Sequence, residues 1–558
     1  MKAWQERFPD IYTEDRDYWL SKGFQETPLA DGIIAFTGTV TVRMKGESAL
    51  EHHPFKLRVK YPPGYPYVAP SVEFLDPKIK RARHQGTDGS PCLFPPSAWT
   101  RTFPASEIYA ATERWLAYHL AGHFPRELAI YELPEYFAWT PFSVLAPPSM
   151  LDAMAGLERG SFTVDELVGQ DLGVVRSIDE QQIGQELEDA IAPRRTRKRE
   201  RLVSRWYRLA EEPPAMQYTV ELERILKRSG HHASFTARRP RAKELIALVF
   251  PDSALGEERI LLLDIGVASQ KATPEVGKGW PIRAPQLYPV SHEELYRRLE
   301  GVRDLARLEE KHVACFGLGA IGSPLALALT REGVGSFGLY DPDILRPGNV
   351  VRHALDLLSV GQPKAEALES ALARINPSVR TLPDVEHLSH PDVIAAKITR
   401  ADLVVAAIGN DLTEELLGEI ITASEGPPPM LLVRTLHAGA VFRVALMRAG
   451  QDACVTCLAS YRAEGHPDWI EVPADDLPDI YDTGCATAAR PGAGLVSQHA
   501  AIFTAARALE IFEDRQPADN HWLWVERPIP ASDPRLQTPM TLHRARFQPR
   551  AGCSICDV

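Results

Sequence analysis

The sequence is poor in cysteine, with seven in 558 residues. This number is far below that of a small secreted domain held by disulfides, so we expect no disulfide framework. The sequence also lacks any uncharged apolar run of about 18 residues, and no membrane span is predicted. Its first residues hold no apolar stretch typical of a secretory signal, and the cytoplasm is the expected compartment.

An excess of basic charge is also lacking, because 62 Lys and Arg stand against 74 Asp and Glu, giving a net charge of −12. This balance argues against nucleic acid as the main partner. The one basic run, residues 194–201, fits a solvated face. The share of hydrophobic residues, 44%, is that of a globular protein, and the length indicates about three or four domains.

Three segments with different patterns divide the chain. Residues 1–145 combine short strands, proline-rich turns and a helix predicted over 106–120. Residues 146–290 are expected to form a small α+β linker domain, with helical patterns to about Leu209 and strands after it. From 291 to 558, strands and helices alternate as in a parallel sheet covered by helices. The expected fold class is therefore α/β and α+β in several domains.

Four of the cysteines form two Cys-x-x-Cys pairs, Cys454 with Cys457 and Cys553 with Cys556. Each pair has the spacing for tetrahedral Zn²⁺, and four thiolate ligands leave no open position for catalysis. We therefore predict a structural zinc site. A redox-active pair is the alternative.

The other three cysteines have different surroundings. Cys315 lies in the apolar run Val313–Phe316 and is predicted to be part of a core. Cys485 follows Asp-Thr-Gly, and Cys92 follows Gly-Ser-Pro. These contexts are typical of loops, where a thiol is accessible and can react as a nucleophile.

A glycine loop lies between a predicted strand at 313–316 and a helix predicted over 321–332. Its glycines are Gly317, Gly319 and Gly322. Such a loop lets backbone amides approach a phosphate at the start of a helix. Asp341, at the end of the next predicted strand, is placed to bind ribose hydroxyls. Alone, this motif fits an NAD enzyme as well as an ATP enzyme.

The residues after this loop discriminate between these two classes. They are Asp341-Pro-Asp343, Asn349, Arg352, Lys364 and Asn376-Pro377. Their spacing over some sixty residues resembles the pattern of the ThiF, MoeB and ubiquitin-activating superfamily. The resemblance implies that Asp341 binds ribose and that Asp343 and Asn349 organise the ATP site. It also implies that Arg352 and Lys364 contact the phosphates and stabilise charge during adenylation.

The same resemblance extends to the metals and to one thiol. The family usually has a metal-binding aspartate where this chain has Gly409, so Asp411, two residues later, is the expected Mg²⁺ ligand. The four-cysteine zinc clip would staple the carboxyl-terminal tail to the domain. Cys485 resembles the crossover-loop cysteine of activating enzymes, which forms a thioester with the adenylated carboxylate. These domains dimerise, commonly with an arginine reaching the partner's ATP, for which Arg297, Arg298 and Arg303 are candidates.

A second resemblance covers roughly the first 140 residues. Tyr61-Pro-Pro-Gly-Tyr65-Pro66, Pro70-Ser-Val-Glu-Phe74 and Gly89-Ser-Pro-Cys92-Leu93 are similar to the pattern of ubiquitin-conjugating enzymes. The resemblance implies that Cys92 is a thioester nucleophile. His84 stands where that family carries an asparagine, eight positions before the cysteine, and is a candidate to hydrogen-bond an oxyanion.

Together the two halves resemble a bacterial fusion of a conjugating-type and an activating-type domain, as in the CD-NTase-associated ligases of CBASS antiphage operons. The resemblance implies adenylation of a protein carboxyl terminus, a thioester relay from Cys485 to Cys92, and ligation to a lysine. The modifier would be a ubiquitin-like protein or a CD-NTase carboxyl terminus, with ATP, Mg²⁺ and Zn²⁺ as cofactors. Alternatives are a sulfur-carrier activator for cofactor biosynthesis, a scaffold without catalysis, or an NAD oxidoreductase.

Overall fold

The structure is a computed structural model that describes residues 3–29, 33–45, 50–77, 79, 85–86, 89–94, 98–122, 137, 140–167, 169–191, 199–214, 216–233, 243–252, 256–266, 277–386, 390–478 and 492–556. The chain forms two compact units, Met1–Gln185 with Arg197–Pro289, and Glu186–Thr196 with Val290–Val558. Within the described ranges, no helix has the length and apolar character needed to cross a membrane.

A four-stranded antiparallel meander forms the amino-terminal part of the first unit. Its strands, hydrogen-bonded in chain order, are β1 (Gln25–Pro28), β2 (Ile34–Lys45), β3 (Leu50–Tyr61) and β4 (Ser71–Phe74). The helices are α1 (Trp4–Arg7), α2 (Pro9–Ser21) and α3 (Ala105–Ala121), so the helix predicted over 106–120 is confirmed. The core between them is rich in aromatic rings, among them Trp4, Trp19, Phe36 and Tyr61.

The rest of the first unit is organised by an eight-stranded mixed sheet. The strand order is β11-β10-β9-β6-β7-β5-β12, and β8 pairs with β7. The strands are β5 (Ser143–Ala146), β6 (Arg159–Leu167), β7 (Leu172–Ile178), β8 (Gln181–Gln182), β9 (Arg199–Arg208), β10 (Leu245–Asp252), β11 (Glu257–Asp264) and β12 (Gln286–Pro289). The helices along this stretch are α4 (Met150–Ala153), α5 (Gln185–Ile191), which lies almost wholly in the second unit, and α6 (Thr219–Arg228).

The prediction of mainly helical structure up to about Leu209 is wrong. Three long strands, β6, β7 and β9, occupy most of residues 159–208. β6 pairs antiparallel with β9 along its whole length, although more than thirty residues separate the strands in sequence. The hydrophobic periodicity of a local stretch does not show that it pairs with a strand so far away in sequence. The hydrogen bonds between these strands override the helical preference of the segment.

The second unit is built on another eight-stranded sheet, in the order β15-β14-β13-β16-β17-β18-β19-β20. The first five in this order run parallel and the remaining pairings are antiparallel. The strands are β13 (His312–Phe316), β14 (Ser336–Tyr340), β15 (Arg380–Asp384), β16 (Leu403–Ala406), β17 (Met430–Leu436), β18 (Val441–Met447), β19 (His521–Val525) and β20 (Thr541–Ala545).

Helices cover both faces of this sheet. They are α7 (His292–Tyr296), α8 (Leu305–Glu310), α9 (Gly322–Arg331), α10 (Lys364–Ala373), α11 (Pro391–Ile398), α12 (Asp411–Ala423), α13 (Val455–Ala463) and α14 (Gly494–Phe512). One core contains residues of α9, α10 and α14, and the other contains residues of α11, α12 and α13. The strand predicted at 313–316 and the helix predicted over 321–332 are confirmed to within a few residues at their ends.

The strand order fixes where the loops meet. β13 lies between β14 and β16 in the sheet. The strands that follow β13 in the chain, β14 and β15, are therefore added on one side of it, and β16 and β17 are added on the other side. In parallel sheets a ligand crevice forms at such a switch point, outside the carboxyl ends of the strands. The loops that begin at Gly317, Asp341 and Ala407 all lie at this edge.

Candidate functional site

The glycine loop after β13 requires two of its glycines for packing. Gly317 has a φ of +87°, and a Cβ there would lie 2.6 Å from Ala407 O. A Cβ at Gly322 would lie 1.9 Å from Gly317 O. By contrast, a Cβ built at Gly319 would meet no atom within 4 Å. Gly319 therefore faces open space, as a loop that receives a ligand requires.

Asp341 follows β14 and holds this loop in place. Its Oδ2 accepts a hydrogen bond from Leu318 N at 2.7 Å, and its Oδ1 accepts one from Asp343 N at 2.9 Å. The residue is buried, with 5% of its surface exposed. Each carboxylate oxygen can accept more than one hydrogen bond, so capacity remains for the ribose hydroxyls that the sequence assigns to it.

Lys364 is the first residue of α10 and its ammonium group lies against two carboxylates. Nζ is 2.8 Å from Asp343 Oδ2 and 3.6 Å from Asp341 Oδ1. Only 8% of the residue is exposed. A cation at a helix amino terminus opposes the helix dipole, and burial adds a desolvation cost. The two aspartates offset this cost and keep a positive charge beside the glycine loop.

Asn349 and Arg352 lie in the segment between β14 and α10. Asn349 Oδ1 accepts a hydrogen bond from Arg346 N at 3.0 Å and so shapes the turn in which it lies. The guanidinium of Arg352 lies close to Gly492, just before α14, because a Cβ at Gly492 would be 3.5 Å from Arg352 Nη1. Arg352 thus lies within the segment that leads from β14 to α10, and Lys364 is the first residue of the helix that follows it.

Asp411 begins α12 and carries an ion pair. Its carboxylate, like that of Glu414, receives a hydrogen bond from Arg434. Glu414 is fully buried and also accepts from Gly409 N at 3.0 Å, so it anchors the arginine. A Mg²⁺ ion at Asp411 would have to compete with Arg434 for the carboxylate. The sequence reading missed Arg434, since nothing local links it to a residue 23 positions earlier.

The four paired cysteines lie together in the second unit. The Sγ atoms of Cys454 and Cys553 are 3.6 Å apart, as are those of Cys457 and Cys556, and all four lie within 4.8 Å of one another. A tetrahedron with Zn–S bonds of about 2.3 Å has sulfur atoms about 3.8 Å apart. The donors are soft, the geometry fits, and the cluster can hold Zn²⁺.

Cys92 lies in the first unit, just after a tight turn. Gly86 N donates to Ser90 O at 2.8 Å, and the Gln85 side chain donates to Gly89 O at 2.6 Å. These bonds close the turn, and the side chain of Cys92 that follows it is exposed. An exposed thiol on a fixed turn is accessible to a reaction partner. His84 lies outside the described residues.

Cys485 also lies outside the described residues, in the segment 479–491. Described residues that precede and follow this segment in the chain lie at the carboxyl edge of the second sheet. Pro473 O is 3.0 Å from His437 Nδ1, in the turn after β17. At the other end, Gly492 lies beside Arg352. Cys315, in contrast, is fully enclosed in β13, and burial raises its thiol pKa to about 12, as expected for a core residue.

One buried side chain at the site was missed by the sequence reading. His353 follows Arg352 directly, and its Nε2 is 2.6 Å from the carbonyl oxygen of Leu318 in the glycine loop. Its position directly after Arg352, one of the residues of the family-like pattern, could have pointed to a role at this site. The contact itself spans 35 residues and could not be read from spacing.

Comparisons with known proteins show similarity over part of the chain. The ThiF family model matches residues 292–511, which lie in the mixed α/β, Rossmann-like second unit. The "ATP-dependent ubiquitin transferase-like protein Cap2" of Pseudomonas aeruginosa is 34% identical over 212 residues, or 36% of either chain. Its namesake in Vibrio cholerae is 26% identical over 274 residues, covering 48% of this chain and 44% of the relative.

Two further similarities involve other enzymes. The "Adenylyltransferase and sulfurtransferase MOCS3" of Danio rerio is 31% identical over 128 residues, which cover 23% of this chain and 28% of the relative. The crystal structure of E. coli MccB with ATP aligns with 45% of this chain and 68% of its own, at 15% identity and a TM-score of 0.35. This chain spans less than half the length of each of these curated relatives.

Proposed function

We propose that the chain is an ATP-dependent adenylyltransferase that activates the carboxyl terminus of a protein and passes it through two thiols to an amine. Lys364 carries this proposal. It is a buried cation at a helix amino terminus, held by Asp341 and Asp343, beside a glycine loop that faces open space. Burying an ammonium group at a helix amino terminus costs free energy, and its positive charge there can stabilise the phosphates of a bound nucleotide.

In the first proposed step, a carboxylate oxygen attacks the α-phosphorus of ATP, and the bond to the pyrophosphate leaving group breaks. Lys364 and Arg352 stabilise the negative charge that gathers on the phosphate oxygens. Asp341 binds the ribose, and Asp343 and Asn349 hold the segment that carries these groups. Asp411, once released by Arg434, would hold Mg²⁺, which neutralises charge on the pyrophosphate.

In the following steps, the acyl group moves between nucleophiles. The Cys485 thiolate attacks the acyl carbon and AMP leaves; the Cys92 thiolate then attacks and the Cys485 thiolate leaves. A lysine amine of the target attacks last, forming an amide and releasing Cys92. We assign to His84 the hydrogen bond to the oxyanion of that step.

The proposed carboxylate partner is a ubiquitin-like protein or the carboxyl terminus of a CD-NTase, in a bacterial antiphage system. Two relatives are named ubiquitin transferase-like, which supports this choice of chemistry. We also propose a homodimer of the second unit. Large apolar side chains are exposed beside the site, namely Val351, Leu357, Leu358 and Leu495. The candidates for an arginine that reaches the partner's ATP are Arg297, which pairs with Glu294, Arg298, and Arg303, which pairs with Glu332 and Glu513.

Exchange of labelled pyrophosphate into ATP tests the adenylation step directly. The purified chain is incubated with Mg-ATP, labelled pyrophosphate and each protein encoded beside its gene. We expect exchange with a partner whose carboxyl terminus is intact, and none when the partner lacks its last residues, because the reversible step consumes that carboxylate. If the rate of exchange is the same with intact and with truncated partners in every case, the proposed substrate class is ruled out.

The zinc site makes a separate prediction. We expect about one Zn²⁺ per chain by elemental analysis, since four clustered thiols bind the ion tightly. The double variant Cys553→Ser and Cys556→Ser should lose the metal and lower the unfolding temperature. Cys92→Ser, which removes an exposed cysteine outside the cluster, is the matched control and should retain it. Reduced wild-type protein without zinc would contradict the assignment.

The second candidate function is activation of a sulfur-carrier protein for cofactor biosynthesis. The similarity to an adenylyltransferase and sulfurtransferase, over 23% of the chain, favours it. Both functions share the adenylation step and differ in the product, which is a thiocarboxylate in one case and an amide in the other. Mass spectrometry of the modified protein separates them. A thiol at Cys92 has a role only in the route to the amide.

A further inference from the structure

Two consecutive carbonyl groups of the glycine loop are tied to the turn after Arg352. The carbonyl oxygen of Leu318 lies 2.6 Å from His353 Nε2. The carbonyl oxygen of Gly319 accepts from Ser323 Oγ at 2.7 Å, and the same hydroxyl accepts from Ala354 N at 3.1 Å. His353 therefore holds the Leu318 carbonyl directly. The Gly319 carbonyl is held by the hydroxyl of Ser323, which Ala354 N contacts, and also by the backbone N–H of Ser323 at 3.2 Å.

The hydrogen bonds of His353 define its tautomer. Leu355 N donates to Nδ1 at 3.1 Å, so Nδ1 is an acceptor and the proton is on Nε2. Only 5% of the residue is exposed, and burial lowers the pKa of its imidazole to about 4. At neutral pH the ring is neutral, as the acceptor role of Nδ1 requires. The Nε2–H group thus donates to Leu318 O.

The orientation of these carbonyls determines that of the next two amides. In a trans peptide, the C=O of one residue and the N–H of the next point in opposite directions. Holding Leu318 O turns the Gly319 N–H away from His353, and holding Gly319 O turns the Ala320 N–H away from Ser323. Among the described residues neither amide has an acceptor, and a Cβ at Gly319 would meet no atom within 4 Å. Two such amides at the start of α9 suit a phosphate oxygen.

We propose that His353 is a positioning residue of the nucleotide site, which holds the Leu318 carbonyl through Nε2–H and so directs the Gly319 amide at a phosphate of ATP. This inference rests on the proposed adenylation function and adds to it a neutral residue, beside the charged residues already assigned to the site. A histidine that only filled the core would contribute through its volume. A positioning histidine contributes through one particular hydrogen bond.

Two substitutions in the full chain separate these roles. In His353→Gln, the amide nitrogen can reach the place of Nε2 and donate to Leu318 O. In His353→Asn, the shorter side chain reaches only the place of Nδ1, so it keeps the bond to Leu355 N and loses the other. Calorimetric titration with Mg-ATP alone needs no carboxylate partner. We expect Kd to rise roughly tenfold or more for His353→Asn and to stay within about threefold for His353→Gln.

His312→Gln is the matched control. The His312 ring lies at the other end of β13, where Nδ1 is 2.7 Å from Ser336 Oγ, and its replacement should leave Kd unchanged. If His353→Asn does not fold, His353→Met replaces it, because methionine keeps much of the buried volume, lacks the donor to Leu318 O and should also weaken binding. Equal losses for His353→Gln and His353→Asn, or no loss in either, would overturn the positioning role. Wild-type protein that binds no Mg-ATP would overturn the proposed function itself.

Discussion

Replacing Lys364 by methionine should lower the rate of pyrophosphate exchange about a hundredfold, because a fixed charge that stabilises the transition state is lost. Methionine keeps the apolar stem that is buried at the start of α10. The carboxylates left behind are tolerated, since Asp343 is largely exposed and Asp341 retains two amide donors. The loss should therefore appear in the rate and not in the unfolding temperature. Arg352→Gln should have a loss of similar size.

Lys311→Met is the matched control for this prediction. Lys311 also pairs with a carboxylate, at 2.9 Å from Asp402, but it lies at the amino end of β13, away from the glycine loop. Its replacement removes the same charge from the same unit and should leave exchange unchanged. Wild-type exchange rates in both the Lys364 and Arg352 variants would remove these residues from the mechanism, whatever their position in the structure.

The part of the site that could be predicted from sequence is the part encoded by short spacings. The glycines of the loop after β13 are needed where the backbone turns with positive φ and where α9 approaches the loop, and both demands act within six residues. Each Cys-x-x-Cys pair is likewise local. The meeting of the two pairs, 99 residues apart, followed from the preference of Zn²⁺ for four ligands.

The part that could not be predicted depends on contacts between distant segments. The Arg434 partner of Asp411 comes from a neighbouring strand, and the contact of His353 with Leu318 joins loops after two different strands. The same holds for the strands within 159–208, whose partners lie far along the chain. Residue type and periodicity do not determine which strands become neighbours in a sheet. These contacts and strand pairings therefore become visible only once the strand order is known.

The order of the two thiols leads to the prediction with the largest effect. Cys485 belongs to the connection from α13 to α14. In the described part of that connection, Pro473 contacts the turn after β17 and Gly492 lies beside Arg352. The adenylate is proposed to form at that edge. Cys485→Ala should therefore abolish the thioesters on both cysteines, while pyrophosphate exchange continues at the wild-type rate. Cys92→Ala should keep a reducible adduct at Cys485 and lose ligation to amines.

Transfer between the thiols needs no second ATP, because two thioesters are close in free energy and tethering within one chain supplies a high effective concentration. A non-reducing gel of each variant, with Mg-ATP and the partner that supports exchange, measures this order directly. A reduced sample of the same reaction is the control, since thioesters are cleaved by thiols and amides are not. If Cys485→Ala charges Cys92 at the wild-type rate, the acyl group passes directly from the adenylate to Cys92, and Cys485 has no place in the relay.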